Sequence, residues 1–312
     1  MAGASSSAST DADADSEFDI DVEPPLRPDE PSREERLRDW ATTGAYVATV
    51  LLIAAVMIGP FLYMISVSMM EPYTVRQIPP KFLPADPLQW GPHNYERVFT
   101  KFDFTRVLFN TLVVTVGVTV FNVFFDTLAG YVFAKMEFPF RRVLFMLILA
   151  TLMIPEQVTV VPLYVIVSQL GLLNTHLGMA LPFAASAFGI FLMKQFMETI
   201  PSTLEKAAMV DGCTRFEVFY KIVIPMSKPA MATLAIFTFI GTWNAFLWPL
   251  LVASDSSMYM LEVALAQFQG RFEQDIAALM TGTAIASLPV IALFVALQKY
   301  YVQGIKLSGV KG

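Results

Sequence analysis

The chain has 312 residues, 55% of them hydrophobic, and a mean hydropathy of +0.56, which is too apolar for a soluble domain of that length and indicates a membrane protein. The net charge of −6 is uneven, because the first 39 residues carry 12 Asp/Glu against 4 Arg and the remainder is close to neutral. Overall acidity therefore identifies no partner. The single cysteine, Cys213, excludes an intrachain disulfide and a cysteine metal cluster.

Residues 1–39 open on a Ser/Ala/Asp run and continue through Pro24, Pro25, Pro28 and Pro31. Such a composition buries too little apolar surface to fold, so an acidic, disordered cytoplasmic tail is expected there. It lacks the basic start and apolar core of a secretory signal. Residues 40–312 form the expected membrane domain.

Six apolar blocks follow, at about residues 43–69, 109–134, 143–169, 177–197, 229–251 and 276–300. Each is near the roughly 20 residues needed to cross about 30 Å of hydrocarbon as a helix. The third is interrupted by Pro155 and Pro162, with Glu156 and Gln157 near its middle. A break there requires protein or water to satisfy the freed backbone groups.

Placing the N-terminus in the cytoplasm puts 15 Lys/Arg inside and 6 outside, which predicts an all-α, six-span protein with both termini inside. Residues 70–108 and 252–275 are then the long external segments. The first is rich in proline, with a short interfacial helix expected over 94–104. The stretch 201–228 is cytoplasmic. Its signals spell helix, glycine, helix: Ser202 with Glu205 and Thr214 with Glu217 have capping-box spacing, and Gly212 stands where a helix end favours a left-handed residue.

Catalytic constellations are absent from the sequence. No Gly-rich loop ends in Gly-Lys-Ser/Thr, so this chain is expected neither to bind nor to hydrolyse ATP. His93 and His176 are the only histidines and have no ligand partners at metal spacing, and no basic, aromatic-interleaved stripe suggests nucleic acid. What remains is a set of polar residues inside apolar segments: Asp126 one turn after Asn122, Glu156 with Gln157, and Asn244 beside Trp243. Each is costly in lipid unless it faces a partner or a water-filled pathway. Aromatic faces beside an amide suit a sugar, whose C–H faces stack and whose hydroxyls need polar partners. The alternative is that these groups satisfy one another between helices, and Trp243 and Trp248 equally suit an interfacial belt.

The loop's spacing carries a family resemblance. Glu205, Ala207, Ala208, Gly212, Ile222 and Pro225 fall in the register of the EAA loop of ABC-importer permeases, with Lys206 and Ile224 as departures. Met153-Ile154-Pro155, Val161-Pro162-Leu163-Tyr164, Gly171-Leu172-Leu173-Asn174-Thr175, Thr242-Trp243-Asn244 and the terminal Gly309-Val310-Lys311-Gly312 extend it. They resemble carbohydrate-uptake permeases of the kind found as the smaller maltose-transporter subunit. The resemblance implies a prokaryotic plasma-membrane permease that works with a second homologous permease, two cytosolic ATPases that use ATP and Mg, and an external solute-binding protein. It assigns ATPase coupling to Glu205, Ala207, Ala208, Asp211, Gly212, Ile222 and Pro225. It also places a binding-protein contact in the loop that holds Gln267, Gln269 and Arg271. The expected solute is a sugar or related polyol, with another organic solute such as glycerol phosphate as the alternative. Outside this family, an ion-coupled secondary transporter using Asp126 and Glu156, or a membrane scaffold, are the rival readings.

Overall fold

In hydrocarbon a helix alone satisfies its own backbone polar groups, and the six apolar blocks fold accordingly. The computed structural model describes residues 33–75, 90–101, 103–268 and 275–308. Residues 1–32, Gln269 and Arg271 lie outside the described residues. Among those described, every regular element is helical.

The chain divides into two units, 1–57 and 58–312. The described part of the first is the front of α1 (Arg33–Ser68), whose Leu51, Leu52, Val56 and Met57 are exposed, as lipid-facing residues would be. The helix begins within the segment expected to be a disordered tail.

The second unit continues through α2 (Pro72–Val75), α3 (His93–Lys101), α4 (Phe104–Lys135), α5 (Arg141–Thr151), α6 (Glu156–Gln169), α7 (His176–Ala180) and α8 (Ala187–Glu198). Beyond these come α9 (Ser202–Val210), α10 (Arg215–Val218), α11 (Ile224–Trp243), α12 (Leu247–Val252), α13 (Leu261–Gln267) and α14 (Ile276–Ser308). Four helical stretches are long and apolar enough to cross a membrane: 40–68, α4, 215–243 and 276–298. Two bent pairs bring the number to six if each counts as one span, α5 with α6 at 98° and α7 with α8 at 45°.

Central to this unit is α4, which packs on α8 and α11. The approach to α8 is close, since a Cβ on Gly130 would lie 2.6 Å from the Met193 Cβ. Three apolar clusters follow along α4. Phe104 and Val107 pack with Phe239, Trp243, Leu261 and Ala278; Val114 and Val118 with Met179, Trp248 and Met260; Tyr131 with Met193, Met197, Val218 and Leu234.

The block expected as one span over 229–251 is instead a helix from Arg215 to Trp243, a break, and α12. Pro249 explains the break, because a helix running through it would drive its ring into the carbonyl of residue 245. The segment before α14 is more ordered than a plain external loop. Asn110 donates to the Ser257 and Tyr259 carbonyls (2.8 and 3.2 Å), and Leu261 N–H to Thr111 Oγ1 (2.8 Å), tying α13 to the start of α4.

Candidate functional site

Three interruptions of apolar segments meet at one cleft of about 540 Å³. Glu156 and Gln157 begin α6, immediately after the Pro155 break. Ala185 and Ser186 belong to the break before α8, and Asn244 to Phe246 form the break between α11 and α12. Breaks free backbone polar groups, which need water or protein at membrane depth, so a largely apolar cleft that carries polar groups where three breaks converge is physically consistent. Asn122 on α4 adds an amide, donating to the Val118 carbonyl (3.1 Å) and to the Phe183 carbonyl. Rings of Phe183, Phe188, Phe237, Phe246 and Trp248 supply apolar faces. Trp248 is held by its indole N–H to the Gly178 carbonyl (3.3 Å) and by an edge contact with Phe183.

Of the five residues proposed from sequence for the solute pathway, the cleft gathers Glu156, Gln157 and Asn244. Trp243 does not line it. That ring is 2% exposed, stacked on Phe239 at 5.5 Å, and its Nε1–H donates to the Ala286 carbonyl (3.1 Å), so it locks α11 to α14. Asp126 does not line it either. Its carboxylate is fully buried and accepts both the backbone N–H (3.0 Å) and the hydroxyl (2.9 Å) of Ser186. Ser186 Oγ in turn accepts Gly189 N–H (2.9 Å) and caps α8. Gly189 is required there, because a Cβ would collide with Asp126 Oδ2. Asp126 therefore clamps α4 to the start of α8, behind the cleft wall.

The second site is the element from α9 to α11. Gly212 ends α9 with φ +89°, a left-handed conformation that glycine adopts without strain. The Thr214–Glu217 capping box forms at α10, and Glu217 also pairs with Lys221 at 2.8 Å. The Ser202–Glu205 box does not form. Pro201 takes the N-cap position, and the Glu205 carboxylate is drawn to Lys135 Nζ of α4 at 2.7 Å, an ion-pair contact, while Lys135 donates a hydrogen bond to the Ile200 carbonyl (2.6 Å). At 8% exposure Glu205 is turned inward.

Ala207, Asp211, Gly212 and Pro225 are exposed, whereas Ala208 and Ile222 are half-buried against the third apolar cluster. A π-helical turn, Phe219–Val223, joins α10 to α11. Pro225 cannot donate to the Lys221 carbonyl, which frees this turn to widen. Sequence reading missed the most exposed apolar side chains of the element: Val210 at 87%, Phe216 at 74% and Tyr220 at 64%. No sequence signal separates them from the buried Val218, Phe219 and Val223 of the same stretch. Gln267 is exposed at the end of α13.

Residues 126–307 match the family described as binding-protein-dependent transport system inner membrane component. The chain belongs to this permease family. One relative is the arabinooligosaccharides transport system permease protein of Bacillus subtilis (strain 168), 34% identical over 231 residues, 74% of this chain and 82% of that one. Another is the sn-glycerol-3-phosphate transport system permease protein of Yersinia enterocolitica, 31% identical over 272 residues, 82% of this chain and 94% of the relative. The crystal structure of a bacterial ABC transporter involved in the import of the acidic polysaccharide alginate contains a similar chain. It has a TM-score of 0.70 and 25% identity, and covers 87% of this chain and 99% of its own. The permease is thus a multi-pass inner-membrane component of an ABC importer, and its apolar helices are the membrane-embedded part.

Proposed function

We propose that the permease forms, with a second homologous permease, the pathway of an ATP-driven sugar importer. The observation that carries this reading is the cleft in which three helix breaks bring amides, a carboxylate and aromatic faces together. That pairing of rings with hydrogen-bonding groups suits a polyhydroxylated solute. Relatives named for arabinooligosaccharides and for glycerol phosphate support a sugar or polyol class. Six spans with both termini in the cytoplasm fit the four long helices, the two bent pairs and the 15-to-6 distribution of basic residues.

On this topology α9 and α10 face the cytosol. Two ATPases that bind ATP and Mg would dock there, with Val210, Phe216 and Tyr220 as the apolar contact and Gly212 setting the angle. Their closure would reach the cleft through the continuous helix from Arg215 to Trp243, which joins both sites. The 252–275 segment, including Gln267, would meet the solute-binding protein.

Reconstitution of the complete complex tests the reading. Labelled sugar should enter proteoliposomes only with both ATP and the loaded binding protein. Uptake that ignores ATP and follows a proton or sodium gradient would favour secondary transport. Val210→Asp and Phe216→Asp should leave the melting temperature unchanged but weaken ATPase co-purification, by about 2 kcal/mol or roughly 30-fold each if they are central contacts. Retained ATPase binding in both would move the docking site elsewhere. Asn244→Ala should raise the KM for uptake roughly 5- to 10-fold, the worth of one hydrogen bond, with assembly intact. Loss of assembly at an unchanged KM would make Asn244 structural.

A further inference from the structure

We infer that the cleft discriminates by charge, admitting neutral sugars and rejecting anionic ones, with Glu156 as the determinant. This rests on the sugar-importer reading and narrows it to a substrate class. Glu156 is the one ionisable side chain among the described residues that line the cleft; the rest of the lining is amide, hydroxyl, aliphatic or aromatic. Glu156 is exposed to the cleft and, among the described residues, has no ion-pair partner.

Two helices of eight or more residues begin at the cleft, and each already has a carboxylate at its positive end. Glu156 is the first residue of α6, a helix of 14 residues, and the start of α8 at Ser186 is answered by Asp126, which accepts the Ser186 N–H and hydroxyl. Gln157, Asn244, Thr238 and Thr242 can donate to and accept from hydroxyls, whereas Asn122, whose amide N–H groups are held by the Val118 and Phe183 carbonyls, offers only its oxygen. A carboxylate can accept from two hydroxyls of one sugar ring. A neutral sugar therefore finds acceptors and donors throughout. A uronate or sugar phosphate adds a negative charge facing Glu156 and meets no Lys or Arg in this lining to offset it. At an effective dielectric of about 20 and a separation of about 6 Å, the repulsion corresponds to on the order of 100-fold in binding, and to less where water screens it.

Equilibrium dialysis on the purified full transport complex, without binding protein, tests the inference with size-matched probes. One set comprises neutral di- and trisaccharides such as lactose, arabinotriose and maltotriose; the other comprises uronate-containing counterparts such as trigalacturonate. Neutral probes should bind at least tenfold more tightly than uronates. Glu156→Gln, which keeps size and hydrogen bonding, should shrink that ratio to near unity. Gln157→Glu should widen it. A change confined to packing would shift both probe classes together and leave the ratio fixed, so the ratio is the informative readout. A uronate bound as tightly as the neutral probes overturns the inference while leaving the sugar reading standing. An unchanged ratio in Glu156→Gln overturns the assignment of Glu156. Binding of neither class overturns the cleft as a solute site and the charge preference with it, while the uptake assay with ATP and loaded binding protein decides the sugar reading separately.

Discussion

Glu205→Lys should abolish ATP-coupled uptake, and Lys135→Glu in the same chain should restore a substantial part of it. Lys135 is the last residue of α4, where a cation complements the helix dipole. Its ammonium binds at once the Ile200 carbonyl just beyond α8 and the Glu205 carboxylate in the first turn of α9. One side chain thus fastens α9 to the two helices behind it. Both partners are largely buried, with side-chain exposures of 9% and 11%. Removing one partner of such a pair costs about 3–5 kcal/mol, because the other charge stays buried and uncompensated, and a second lysine adds repulsion. A loosened α9 would receive a push from an ATPase without passing it to α4. The predicted signature is ATP hydrolysis without uptake, with the protein still inserted. Normal uptake in Glu205→Lys, or no gain in the charge-swapped pair, would show that the contact is dispensable. Glu205 would act through this internal pair and not by reaching a basic group on the ATPase.

The same residue shows what the sequence could carry. A capping box is a local signal, and at Thr214 and Glu217 nothing competes with it, so it forms. At Ser202 and Glu205 the spacing is equally good, but Lys135 lies 70 positions away in sequence and attracts the carboxylate in three dimensions. The apolar blocks were legible because about 20 residues of hydrocarbon-compatible side chains leave few alternatives. Breaks were legible where polar residues follow a proline, as Glu156 and Gln157 follow Pro155, and not at Asn244, where the apolar run continues to Leu251. Polar residues inside apolar blocks stand out in the sequence, but their roles depend on which neighbour the fold supplies. Asn244 meets a cleft, whereas Asp126 meets Ser186. Trp243 and Trp248 read alike in sequence, yet a helix break between them sends one to α14 and the other to the cleft wall. The exposed apolar trio Val210, Phe216 and Tyr220 became conspicuous only once α9 and α10 were folded.

Asp126→Ala should lower the melting temperature and yield of the permease, in contrast to the cleft variants. The carboxylate is the acceptor for two donors of Ser186, its backbone N–H and its hydroxyl. Leaving buried donors unpaired costs about 1–3 kcal/mol each, with charged acceptors at the upper end. Asp126→Asn keeps one oxygen for the N–H and should fall between Ala and the natural residue. Gly189→Ala should act in the same direction, since its new methyl group would occupy the space of Asp126 Oδ2. Because both changes break one clamp, the double variant Asp126→Ala/Gly189→Ala should be less destabilised than the sum of the two. Thermal melts of the detergent-purified complex measure this directly. Solute affinity in the surviving fraction should also drop, because Ser186 belongs to the wall that the clamp positions. An ion-coupled carrier using Asp126 would behave differently. There Asp126→Asn would stop uptake while leaving the melting temperature unchanged, and that result would reassign this carboxylate from holding α4 against α8 to carrying an ion.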